Sequence, residues 1–190
     1  MTVLKNFFSQ WYKYLLWALI SVIFWGWIFT LVTDAPAAKK LVLCVDAREL
    51  RDQALADALS ENRPEGIRQI AVHSFDYYIF DTEELRTADL YIVGESRAEK
   101  YMESFLPLAE TGMAAEGRTL WTHDGTAYGL LVYDASSGEG AADGYIGYVQ
   151  PGAEPENYYL FFGAETVHRE DGKPAELAEL LLSVRQEGNE

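Results

Sequence analysis

Hydrophobic positions along this chain fall into three textures. The first is unbroken: from residue 14 to 32 the chain reads YLLWALISVIFWGWIFTLV, 19 residues without a charged side chain. A helix rising 1.5 Å per residue would span about 28 Å over that stretch, close to the thickness of a bilayer's hydrocarbon core. The second texture alternates short apolar runs with helical stripes. Residues 40–45 (KLVLCV) have strand length and content, and Leu50, Ala54, Leu55, Ala58 and Leu59 then recur at helical spacing until NRPEG (residues 62–66) supplies breaker residues. A second strand is predicted over 67–75, a short helix over 82–87, and a third strand over 88–93. A helix over 97–105 follows, able to turn Tyr101, Met102 and Phe105 inward. Strands alternating with helices predict a parallel sheet with helices on both faces.

From Leu120 the texture changes again, to strands and turns. LWTHDGTAYGLLVYD reads as a hairpin with Asp124-Gly125 at its turn, SSGEGAADG as a small-residue loop, and YIGYVQ and NYYLFF as further short strands. A last helix is predicted from about Pro174, with Leu177, Leu180, Leu181 and Val184 in one stripe. The chain thus divides into a tail (1–13), a membrane helix (14–33), a linker (34–39), an α/β domain (40–186) and an acidic tail (187–190).

The apolar segment is bordered by Trp11, Tyr12, Lys13 and Tyr14, side chains suited to a headgroup region, and holds bulky Trp and Phe throughout. The expectation is one membrane-spanning helix with the domain extracytoplasmic. The alternative is secretion after cleavage near Ala37, where Ala35-Pro36-Ala37 offers small residues at peptidase spacing.

Charge changes the picture beyond that segment. All 30 acidic residues lie after residue 33, against 15 basic residues in the whole chain, for a net charge of −15. A basic nucleic-acid footprint is absent, so no nucleic-acid partner is expected. The single cysteine, Cys44, excludes an internal disulfide framework and a cysteine-cluster metal site. No pair of the three histidines has metal-ligand spacing, and neither a metal nor another cofactor is expected.

Four stretches together carry a resemblance: KKLVLCVDA, TADLYIVGES, WTHDGTAYGLLVYD, and NYYLFFGAETVH with the helix after it. They resemble corresponding parts of extracellular solute-binding proteins of ABC transporters, the periplasmic-binding type. Those proteins have two lobes in a chain about twice this size, and here only about two dozen residues separate YGLLVY from NYYLFF. The resemblance implies a three-layer single lobe: a mainly parallel sheet flanked by helices, preceded by one transmembrane helix.

In an open α/β sheet the ligand site lies beyond the carboxyl ends of the strands. That rule selects Asp46 after the first strand, His73, Ser74 and Asp76 at the second, and Glu95 with Ser96 at the third. Trp121, the one tryptophan outside the apolar segment, is a further candidate. Asp46 and Ser96 could instead simply cap the helices that follow. Half of the rings in Tyr77-Tyr78-Ile79-Phe80 and Tyr158-Tyr159-Leu160-Phe161-Phe162 would be exposed unless covered, forming a face for a sugar or a protein. No nucleophile elbow, phosphate-binding glycine loop or dinucleotide fingerprint can be read, so the chain is expected not to be an enzyme. The expected function is a membrane-anchored binding module. Its partners would be the bilayer through 14–32, a transporter or other envelope protein, and a carbohydrate or other small solute. An accessory or docking subunit without a small ligand is the alternative.

Overall fold

A computed structural model describes residues 2–33, 35–47, 49–75, 86–149, 152 and 154–184. It separates into two compact units, residues 1–36 and 37–190.

The first unit is one helix, α1 (Thr2–Thr33). Its stretch Trp11–Phe29 has a mean hydropathy of 1.4 and none of it is buried. Side chains such as Trp17 and Val22 stand about 70% exposed. This is a helix long and apolar enough to cross a membrane, and an N-terminal signal sequence fits that description equally well.

The second unit is a mixed sheet flanked by helices. Its central strands are β1 (Lys40–Val45), β3 (Gln69–Ser74) and β4 (Leu90–Gly94), with a two-residue β2 (Glu49–Leu50) and helix α2 (Asp52–Ser60) between the first two. A short helix α3 (Glu95–Ala98) continues as a 3-10 helix to Ser104, followed by β5 (Phe105–Leu106). Then come β6 (Leu120–His123), β7 (Thr126–Asp134), β8 (Glu139–Gly140), β9 (Ile146–Gly147), β10 (Tyr158–Gly163) and helix α4 (Lys173–Ser183). Strand order is β3-β1-β4-β10-β7-β6, with β8 on β7, β5 on β10, and β2 paired to β9 apart.

Among the described strands only β3, β1 and β4 are parallel; β10 runs antiparallel to both β4 and β7. This corrects the expectation of a mainly parallel sheet. The physical reason lies between residues 107 and 157, where the described residues hold no long crossover helix, and strands joined by turns and loops pair antiparallel. The β6–β7 turn is the two-residue kind that matches strand twist: Asp124 and Gly125 both adopt positive φ, 48° and 78°.

Two cores sandwich the sheet. On one face Leu41, Leu43, Leu90, Ile92, Leu160 and Phe162 meet Leu55 and Leu59 of α2 and Leu177 and Leu181 of α4. Fully burying Leu177 and Leu181 contributes at most about 3–6 kcal/mol together. In α2 the buried stripe is Leu55, Ala56 and Leu59, with Ala54 facing solvent. Leu50, expected in that helix, is drawn off into β2 by Ile146. The other face holds Cys44, Tyr91, Val93, Tyr159 and Phe161 under Ala98 and Tyr101. Here Phe105 stacks on Phe161 with centroids 4.2 Å apart. All six residues of β10 are buried, so the exposed rings expected in that strand are covered on both sides. The residue 77–80 rings, most of the 82–87 helix and the tail after Val184 lie outside the described residues.

Candidate functional site

The carboxyl ends of β1 and β4 meet the amino end of β10, because β10 returns antiparallel beside β4 with Tyr158 opposite Gly94. Residues from three elements therefore converge on one edge: Asp46 after β1, Glu95, Ser96 and Arg97 in α3, and Glu156 and Asn157 before β10.

Asp46 is the centre of this edge. Its residue surface is 2% exposed, its Oδ1 is ion-paired with the Arg97 guanidinium, and its Oδ2 is buried with no hydrogen-bond partner among the described residues. Burial raises the carboxyl from 3.8 to about 6; Arg97 and the Gly94 N–H oppose the rise, and Glu156 adds to it. A carboxylate held near neutrality in this way can lose or take a proton close to physiological pH.

The neighbouring carboxylates are tied to backbone and amide. The Ser96 N–H donates to Glu156 Oε2 at 2.8 Å, Asn157 Nδ2 donates to Glu95 Oε2 at 3.0 Å, and the Glu95 N–H donates to the Asn157 carbonyl at 2.9 Å. Asn157 Oδ1 in turn accepts from the Ala135 N–H at 3.1 Å, which adds the end of β7 to the same edge. Gly94 permits the arrangement: a Cβ there would lie 2.7 Å from Glu156 Oε1. Asp46 caps no helix by side chain, and Ser96 enters the edge through its backbone N–H rather than as an N-cap.

The remaining sequence-predicted positions scatter. Ser74 Oγ donates to the Ala47 carbonyl at 2.7 Å, which ties the β3 end to the chain just after Asp46. His73, half-buried on β3 opposite Cys44, lines a separate groove of about 340 Å³ between α2 and β3, together with Asp52, Gln53, Asp57 and Arg68. Trp121 is placed away from the carboxyl edge, on the far edge strand β6. It stacks beside His123 at 6.0 Å and packs edge-on to Phe161 at 5.5 Å. Asp76 lies outside the described residues. Among the described residues, no group of three or more His, Cys, Asp or Glu could hold a metal ion.

Arg97, Glu156 and Asn157 were missed in the sequence. The signal for Arg97 was its place three residues past a strand end. The other two directly precede the NYYLFF run, and only the antiparallel return of β10 brings them to the ends of the parallel strands.

No protein-family profile and no curated protein matches the chain. Among solved structures it is similar to thiaminase I from Bacillus thiaminolyticus, at 14% identity and a TM-score of 0.33. The match covers 50% of this chain, which spans only 28% of that one. That protein is by name an enzyme, so the expectation that this chain is not one finds no support in the comparison; at this level of likeness no reaction passes from one to the other.

Proposed function

We propose that the chain is a membrane-tethered, extracytoplasmic binding module whose site is the carboxyl edge of its parallel strands, centred on the Asp46–Arg97 pair. The observation that carries this reading is a buried carboxylate with one oxygen unmatched among the described residues, placed where three elements converge. Burying such a group costs stability unless it is fully paired, and a fold that serves packing alone gains nothing by keeping it.

The edge presents Glu95, Glu156, the Asn157 amide and Ser96 around Arg97. It suits a solute rich in hydrogen-bond donors, such as a sugar or an amine. The sequence resemblance to one lobe of an extracellular solute-binding protein supports the same placement, and the apolar helix α1 supports the tether. If α1 is instead a cleaved signal sequence, the same module is secreted.

A second reading, an accessory subunit of an envelope complex, is favoured by one feature. Among the described residues β3 pairs on one side only, so a partner's strand could extend the sheet there.

The test is a thermal-shift screen of residues 37–190 against sugars, oligosaccharides, amino acids, polyamines and peptides. A ligand at 100 times its dissociation constant adds about 2.7 kcal/mol and raises the midpoint by about 5–10 °C. A folded fragment with a flat screen contradicts the solute-binding reading.

A further inference from the structure

At the opposite end of the sheet, the turn between β10 and α4 contains a polar chain that the carboxyl edge does not use. His168 is 2% exposed. Its Nδ1 lies 2.7 Å from Asp171 Oδ2, and its Nε2 lies 3.1 Å from the Ala37 carbonyl and 3.2 Å from the Lys40 carbonyl. All three partner atoms are acceptors. A neutral imidazole has one N–H, so either tautomer would turn a lone pair toward the carboxylate or toward the two carbonyls. Only the doubly protonated ring satisfies both sides.

The surroundings hold the ring in place. The His168 backbone N–H donates to Thr166 Oγ1 at 3.0 Å, the Thr166 hydroxyl donates to Asp89 Oδ1, and Asp89 Oδ2 accepts the Val42 N–H at 2.7 Å. The charged groups around the ring are Asp171 on its own turn, Lys173 of α4 bound to that carboxylate at 3.1 Å, and Asp89 ahead of β4. The incoming segment contributes Lys39 and Lys40 in sequence.

We propose that His168 is a pH-sensitive latch: protonated on both ring nitrogens, it fastens residues 37–40, by which the chain enters the sheet, and it releases them as pH rises and the second proton is lost. Burial alone pushes the imidazole down, but Asp171, Asp89 and the Ala37 carbonyl outweigh it and leave it above its ordinary value. The sign follows. A histidine raised in the folded state stabilises fully below its unfolded value of 6.5 and loses that contribution as pH rises through the raised value. Asp171 is lowered: burial raises it, and His168 and Lys173 more than offset that. Its contribution is present above 3.8 and disappears only as pH falls through the lowered value. The latch is therefore closed below 6.5 and opens as pH rises through the raised value.

The experiment uses the full chain in dodecyl maltoside micelles. Cleavage after Lys39 and Lys40 by a lysine-specific protease is followed by mass spectrometry between pH 6 and 9, with rates normalised to a free peptide. Release of a charge-assisted hydrogen bond should raise the normalised rate about tenfold across that range. His168→Gln, which cannot take the second proton, should be cut fast at every pH. A flat wild-type profile, or a His168→Gln profile that keeps the wild-type rise, overturns the latch. Should His168→Gln fail to fold, NMR titration of the His168 ring decides. A midpoint above 6.5 that drops in Asp171→Asn supports the latch, and a midpoint at or below 6.5 overturns it.

Discussion

Replacing Asp46 by Asn separates the cost of the charge from the fit of the side chain. A carboxamide and a protonated carboxyl have nearly the same shape, and either can still accept from Arg97, so the two proteins differ mainly in what ionisation does. The carboxyl rises from 3.8 to about 6 on folding. A shift of about two units disfavours the charged form by about 3 kcal/mol. For an acid raised in this way, the stabilisation of the folded state is fully present below 3.8 and is lost as pH climbs through about 6. Asp46→Asn cannot lose it. The stability of the variant relative to wild type should therefore rise by about 2–3 kcal/mol between pH 4 and 8, with most of the change below pH 6.5. Whatever constant offset the amide introduces cancels. Urea unfolding of residues 37–190, followed by the fluorescence of Trp121, the fragment's single tryptophan, reads the gap at each pH. A gap constant to within about 0.5 kcal/mol, or one closing as pH rises, would refute the assignment of Asp46 as a buried, strained charge.

Two further substitutions test the scaffold. Asp89→Ala removes the acceptor of the Val42 N–H and of the Thr166 hydroxyl, both buried, and should cost about 2–5 kcal/mol in urea unfolding. Gly163→Ala would place a methyl 2.0 Å from the Ala88 carbonyl oxygen, against backbone, so it should destabilise by more than about 1–3 kcal/mol or abolish folding, as circular dichroism would show.

The βα half of the fold was legible because its strands are near-continuous apolar runs and α4 keeps a clean stripe at Leu177 and Leu181. The sheet's mixed direction was not, because periodicity fixes a strand's existence and says nothing of which neighbour it chooses. NYYLFF reads the same whether it pairs in parallel or antiparallel. The site was half legible for the same reason. Asp46, Glu95 and Ser96 follow strands and could be found by the carboxyl-end rule, whereas Glu156 and Asn157 precede a strand and reach that edge only through β10's reversal. Trp121 was singled out by its rarity, and rarity carries no position. The four-group chain Asp89–Thr166–His168–Asp171 was invisible, since its first and last members are more than 80 positions apart in sequence.

The claim on which the account turns is that the carboxyl edge binds. The most direct measurement takes any compound that raises the wild-type unfolding midpoint and repeats its titration on Asp46→Asn, on the double variant Glu95→Gln/Glu156→Gln, and on His73→Gln in the separate α2–β3 groove. The account predicts that affinity falls at least about tenfold in the first two, the loss of one or more charge-assisted hydrogen bonds, and stays within about twofold in the third. Unchanged binding in both edge variants, with loss in His73→Gln, would contradict it and move the site to the groove.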